Sequence, residues 1–198
     1  MRHDDESRLF AYDARKVFDV VEVEPRLQPI EGEKFKYKSA NKKHDARSDV
    51  RVRGFWSRQR NTFFDFNVFY PFARSYRSQN PSKLYKLAAD IKRREYAQRI
   101  ANVENADFTP MIMSTSGGMG TQMSSAIRRL ALKIAEKRNE TYSTVVCILR
   151  TKFVFNMLRS ALVCLRGSRS LKPRKKNFDS ILSLDTPATV VLHEARLR

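Results

Sequence analysis

The stretch from Asn61 to Phe69, NTFFDFNVF, does most to narrow what this chain can fold into. Its aromatic and β-branched content reads as a strand. With a period of two, Phe64, Phe66 and Val68 point one way, while Phe63, Asp65, Asn67 and Phe69 point the other. Aspartate is depleted in strands, and a carboxylate is costly to bury unless something pairs with it. Asp65 therefore demands a partner. Sixteen positions earlier, Asp49 opens another strand over 49–53, and the polar, basic turn between the two makes an antiparallel pair.

The rest of the chain supplies elements around that pair. A short amphipathic helix is expected over 5–17, with Leu9, Phe10, Ala14 and Val17 on one side. A strand over 18–25 ends at a proline and completes a meander of three, after a polar loop or ragged arm over 26–47. Asn80-Pro81 starts a helix whose apolar stripe is Leu84, Leu87, Ala88, Ile91, Tyr96 and Ile100. FTPMIMST (108–115) is an apolar run of strand length, and SGGMG turns it into a helix over 122–138. Another helix follows over 142–165. The expected fold class is thus α/β: a mixed four-stranded sheet in the order α-β-β-β-α-β, followed by a helical pair. Three regions result: a core over 1–120, the helical pair over 121–166 packed on it, and a basic, partly disordered tail over 167–198.

Charge narrows the partners. Of 198 residues, 39 are Lys or Arg and 21 are Asp or Glu, a net +18 that points to a polyanion. Nucleic acid, an anionic membrane surface and a structural place in a ribonucleoprotein all satisfy that balance. RGSRSLKPRKK (166–176) has six basic residues in eleven, which suits nucleic-acid contact, nuclear import or simple solubility. Cys147 and Cys164 lack metal-ligand spacing and read as reduced core residues of an intracellular protein. MRHDDESRLF has no apolar segment of the signal-peptide kind. The most apolar stretch, 145–165, carries Arg150, Lys152, Asn156 and Arg159, so no membrane span is expected.

The chemistry rests on the two aspartates. Carboxylates on adjacent strands can share a hard cation such as Mg²⁺, which takes oxygen ligands and keeps some waters. Each acid has a plainer reading as well. Asp49 suits a strand start, and Asp65 suits an ion pair with an arginine of the 51/53 strand. GGMG (117–120) fits a phosphate cradle or a tight strand-to-helix turn, and it lacks the GK[ST] of a P-loop. Phe55, Trp56 and Tyr70, beside Arg53, Arg58 and Arg60, suit stacking on nucleic acid, whereas Phe63, Phe64 and Phe66 suit the core. His3, His44 and His193 show no ligand spacing and receive no role.

The element order, together with VEVEPRLQPIEGE (21–33), ARSDVRVRGFW (46–56), FFDFNVFYPFARSYR (63–77), REYAQRIANVENADFTPMIMSTSGGMG (94–120) and LRSALVCLRGSRS (158–170), resembles a known domain. It is the restriction-like endonuclease domain, of PD-(D/E)XK type, that ends certain non-LTR retrotransposon polyproteins. The closest likeness is to a retroelement-derived family found in animal genomes. The resemblance spans residues 2 to about 170. It implies a metal-dependent DNA endonuclease that nicks its target and leaves a 3′-hydroxyl, with Mg²⁺ or Mn²⁺ as cofactor. Its partners would be DNA and the element's own RNA, in the nucleus, with no membrane. Asp49 and Asp65 would be the metal-binding acids. Asn67 would stand where most such enzymes have lysine, and Lys92, four before Tyr96 in KRREY, would be the displaced catalytic lysine, with Arg93 and Arg94 behind it. Asp5 would be the first-helix acid, with Glu22 and Glu24 as rivals. Arg51, Arg53, Arg58, Arg60, Arg93 and Arg94 would grip phosphates. Because Asn67 is uncharged, the alternative is a catalytically inactive, basic nucleic-acid-binding remnant of such a domain.

Overall fold

The sheet is built outward from the strand that holds Asp65. In the computed structural model, which describes residues 2–28, 47–76 and 78–166 (side chains over 3–163), β3 (Asn61–Phe69) pairs antiparallel with β2 (Val50–Arg53). β1 (Val21–Val23) continues antiparallel from β2, and β4 (Asp107–Ser114) lies parallel to β3 on its other side. The result is a mixed four-stranded sheet in the spatial order β1-β2-β3-β4. β4 is an edge, where a proline such as Pro110 is tolerated.

The alternation of β3 decides what covers each face. Phe64 and Phe66 meet Phe10 of α1 (Arg2–Arg15), with ring centroids 4.8 and 5.8 Å apart. Phe55 closes the same cluster at 4.8 Å from Phe64. On the opposite face Phe63 packs with Leu27, Ile100 and Ala106, flanked by Tyr96 and Phe108. Parallel strands need a crossover, and a helical connection supplies it. It comprises α2 (Pro81–Lys92), a π turn (Arg93–Ala97) and α3 (Gln98–Val103). Pro81 occupies the first helical position, and the Asn80 side chain caps Ser82 N at 2.9 Å.

The strand-to-helix turn after β4 folds back on that strand. Ser114 N donates to Gly118 O at 2.9 Å, and Gly120 N donates to Ile112 O at 2.8 Å. Gly117 adopts φ +88°, and a Cβ on Gly118 would lie 2.0 Å from the Tyr85 hydroxyl, so the glycines are required by the turn. α4 (Thr121–Arg138) then runs to Asn139, whose left-handed backbone (φ 55°) ends it. α5 (Tyr142–Arg166) buries Val145, Leu149, Phe153 and Met157, one every four residues.

A second stripe on α5 is polar and equally buried. Lys152, Asn156 and Ser160, again four apart, face Asp13, Glu6 and Asp5 of α1. The Lys152 ammonium lies 3.8 Å from Asp13, the Asn156 amide donates to Glu6 at 3.0 Å, and the Ser160 hydroxyl donates to Asp5. Burial, opposed by the Asn156 hydrogen bond, pushes the Glu6 carboxyl up to about 8.

Several sequence expectations need correction. α1 begins at Arg2, not residue 5, which puts His3 in its first turn. The strand expected over 18–25 shrinks to Val21–Val23, because Glu24 turns out of extended backbone (φ 53°). The helix expected after Asn80 runs on to Val103, with a π turn set inside it at Arg93–Ala97. Cys147 is an exposed free thiol, not a core residue. No helix among the described residues is long and apolar enough to cross a membrane. Most of the 26–47 arm, and the basic tail over 167–198, lie outside the described residues.

The Glu6 environment yields a stability prediction. Its folded pKa stands above the ordinary carboxylate value, so its contribution is full below about pH 4.5 and is lost as pH rises through about 8. Glu6→Gln keeps the acceptor for Asn156 and removes the titration. Melting curves at pH 5, 7 and 9 should show the variant gaining on wild type as pH rises, by ~2 kcal/mol or ~6 °C at the alkaline end. Parallel curves at all three values would show that Glu6 is not held protonated.

Candidate acid and lysine site

The register of the sheet brings the two aspartates together. Val50 pairs with Phe64, and one step further along the same ladder Asp49 stands across from Asp65. Directly opposed residues of an antiparallel pair have Cα atoms about 5 Å apart and share a face. The backbone around Asp49 is clamped to β3: Asp49 N donates to Phe64 O at 3.2 Å, and the Ser48 hydroxyl donates to the same carbonyl at 2.9 Å. Asp49 Oδ2 accepts Phe66 N–H, which fixes the carboxylate rotamer.

Asp65 finds its compensating charge across the sheet face. Lys92, at the end of α2, holds its Nζ 2.7 Å from Asp65 Oδ2. The approach is a close ion pair, yet Oδ2 lacks an aligned hydrogen-bond partner. Burial and then the charge of Asp49 push the Asp65 carboxyl up to about 6, against the pull of Lys92. Burial alone would lower the Lys92 ammonium, but Asp65, with help from Glu95 and Asp49, outweighs it and holds the ammonium above its ordinary range. The Lys92 Nζ also sits 5.4 Å from the Tyr96 ring centroid across the π turn. Burial, then Asp65 and Glu95, raise the Tyr96 hydroxyl far above its usual value, so it remains a neutral donor.

A histidine that the sequence left without a role joins this group. His3 Nε2 lies 3.0 Å from Asp49 Oδ1, and Nδ1 lies 2.6 Å from Asp4 Oδ1. The hydrogen bond with Asp49 raises the imidazole above its ordinary value against the effect of burial. A carboxylate at each nitrogen favours the protonated ring, which donates from both. Only an isolated histidine near a run of acids marks it in the sequence.

The other candidates divide. Asn67 lies on the Asp65 face of β3, two residues on, half-buried and paired in register with Ile112. Asp5 is sealed against Ser160, Glu22 pairs with Arg51, and Glu24 pairs with Arg47 at 3.7 Å, so each rival for a third acid is engaged elsewhere. The arginine partner imagined for Asp65 is taken by Glu22. Arg60 pairs with Asp107 at 3.1 Å and Arg93 with Asp90 at 2.6 Å, while Arg53, Arg58 and Arg94 are exposed. Phe55 is fully buried, and Trp56 donates to Thr109 at 2.8 Å beside the Arg129 guanidinium, so neither serves as an open stacking surface. Tyr70 is exposed. A cleft of about 240 Å³ beneath α2 continues the same sheet face, lined by Ser82, Tyr85, Lys86, Arg93, Pro110 and Gln122.

As a cation site, the arrangement offers two carboxylates and no third. Among the described residues no group of three or more His, Cys, Asp and Glu side chains converges as a metal centre. Mg²⁺ is commonly held by one or two carboxylates, with water and substrate phosphate completing the shell. Asp49 and Asp65 fit that requirement in donor type, and the mutual repulsion that lifts Asp65 is what a divalent ion relieves. No family model, curated protein or solved structure matches the chain.

A double-mutant cycle tests the ion pair. Lys92→Met leaves a buried carboxylate without its cation and should cost ~2 kcal/mol in urea denaturation at pH 8. Adding Asp65→Asn should recover a good part of that loss, giving a coupling of ~1 kcal/mol or more. Additive losses would mean that the two side chains do not interact in solution.

Proposed function

We propose that the chain is a metal-dependent DNA endonuclease domain of restriction-like type, derived from a non-LTR retrotransposon, that nicks target DNA by phosphodiester hydrolysis. The observation that carries this reading is the buried Asp65–Lys92 contact beside Asp49, two acids on one face of neighbouring strands met by a lysine from the crossover helix. The element order and the mixed sheet agree with that family's topology.

In this reading Asp49 and Asp65 hold Mg²⁺ or Mn²⁺. When bound, such an ion supplies an acidified water and neutralises charge on the phosphate. Attack of a water oxygen on phosphorus would break the bond to the 3′ oxygen, which takes up a proton in exchange for the one the water loses, leaving a 3′-hydroxyl and a 5′-phosphate. Lys92 serves as the electrostatic group, its ammonium kept charged by the acids around it and directed to the charge that develops on the phosphate. Asn67 would orient the attacking water, its amide oxygen accepting a hydrogen bond from it. His3 holds Asp49 through Oδ1 and leaves the carboxylate in one orientation. The exposed Arg53, Arg58 and Arg94, with the surface-paired Arg51, Arg60 and Arg93, take backbone phosphates, so affinity falls steeply with salt.

One observation favours a second reading. Asn67 carries no charge where a basic residue is common in restriction-like enzymes, which fits a basic nucleic-acid-binding remnant without catalysis.

Nicking of supercoiled plasmid with Mg²⁺ or Mn²⁺ separates the two, with a gel shift in the same tubes. Wild type should nick, and Asp65→Ala should abolish nicking while binding persists. Lys92→Met should slow nicking by ~100-fold or more, the loss expected when one charge-stabilising donor is removed. Binding by every variant with no cutting by wild type would leave the remnant, and cutting that survives Asp65→Ala would remove Asp65 from the metal.

A further inference from the structure

The chain leaves β3 through Phe69-Tyr70-Pro71-Phe72, and these aromatic rings part company. Phe69 turns inward, edge-on to Tyr85 at 5.0 Å and to Tyr76 at 6.3 Å. Tyr70 and Phe72 turn outward and are 56% and 65% exposed. Their rings meet edge to face with centroids 5.8 Å apart. Pro71 holds the second position of a tight turn closed by Ala73 N donating to Tyr70 O at 3.4 Å. A further turn closes at once, through Tyr76 N to Ala73 O at 2.8 Å, and Arg74 lies exposed within it. Two rings are therefore displayed on a short, hydrogen-bonded turn that carries an exposed arginine two residues beyond Phe72.

We infer that Tyr70 and Phe72 form a stacking platform for the unpaired bases of single-stranded nucleic acid. The inference rests on the nucleic-acid reading above and adds a substrate class to it. Exposed aromatic rings on a turn that also carries an exposed arginine match the two parts of a single strand, base faces and phosphates. The net charge of +18 selects a polyanion over an apolar protein partner for this surface. A duplex hides its base faces within the stack and offers the rings nothing, so the platform discriminates by strandedness. Tyr70 lies five residues beyond Asp65 along β3, ~16 Å away at strand rise, a span of a few nucleotides. A strand held on the rings is thus within reach of the acid and lysine site without touching it.

The test uses the full chain and two fluorescent probes, a single-stranded oligonucleotide and the duplex of the same sequence, followed by anisotropy at fixed salt. The Tyr70→Ala/Phe72→Ala variant should lose ~10-fold or more in affinity for the single strand and less than ~2-fold for the duplex. Tyr70→Phe/Phe72→Trp, which keeps both rings, should bind the single strand as wild type does. Unchanged binding by the alanine variant, or equal losses on both probes, overturns the platform while the nucleic-acid reading stands. Wild type that binds neither probe overturns that reading and the platform with it.

Discussion

The ion pair between Asp65 and Lys92 is the constraint around which the rest of this structure is arranged. β3 is an interior strand with both faces covered, so a carboxylate in its middle is largely withdrawn from water, with 7% of the Asp65 side chain exposed. Its partner has to come from the element packed on that face. The parallel pairing of β3 and β4 requires a crossover, and the crossover helix ends on Lys92. One connection thus satisfies the topology and the charge. The π turn that follows adds a residue to the helical repeat and lets Lys92 and Tyr96 flank the acid from successive turns.

Much of this was legible in the sequence, and the failures have physical causes. Strict alternation in NTFFDFNVF correctly separated Phe64 and Phe66 from Phe63 and Asp65, because a strand buried on both sides has no freedom in its period. The meeting of Asp49 and Asp65 followed from hairpin register, a local quantity. Lys92 was different: no spacing rule links residues 65 and 92 across a loop and a helix, and only the family resemblance pointed to it. His3 went unread because a lone histidine shows no ligand spacing, and α1 was expected to start at residue 5, three residues later than it does. Phe55 and Trp56 looked like open stacking surfaces on account of neighbouring arginines, yet sequence proximity to charge says nothing of the direction in which a ring packs. Lys152 and Asn156 served as arguments against a membrane span, while their spacing on α5 matched a polar stripe on α1 that no local pattern reveals.

The large positive charge is less free than its sum implies. Arg51, Arg60 and Arg93 each face a carboxylate of the chain itself. Such surface pairs contribute at most ~1 kcal/mol, so a phosphate that brings a full charge and further contacts can displace the acid at small cost. Arg53, Arg58 and Arg94 carry no such restraint in the hydrogen bonds and ion pairs seen here, and they supply the long-range field.

Two buried charge clusters lie in this fold, and their difference bears on which of them meets a ligand. Asp13 and Glu6 are fully sealed between α1 and α5, where polar contacts specify the packing of two helices and nothing from solvent can enter. Asp49 and Lys92 keep 16% and 21% of their side chains in contact with water, on a face that continues into the cleft under α2. Folding alone gains nothing from setting Asp49 where it raises Asp65, since a neutral residue at either position would remove the repulsion. A repulsion retained at an accessible point is the arrangement expected where a cation or a phosphate is to be bound. The sealed cluster serves the fold, and the open one is the place to look for chemistry.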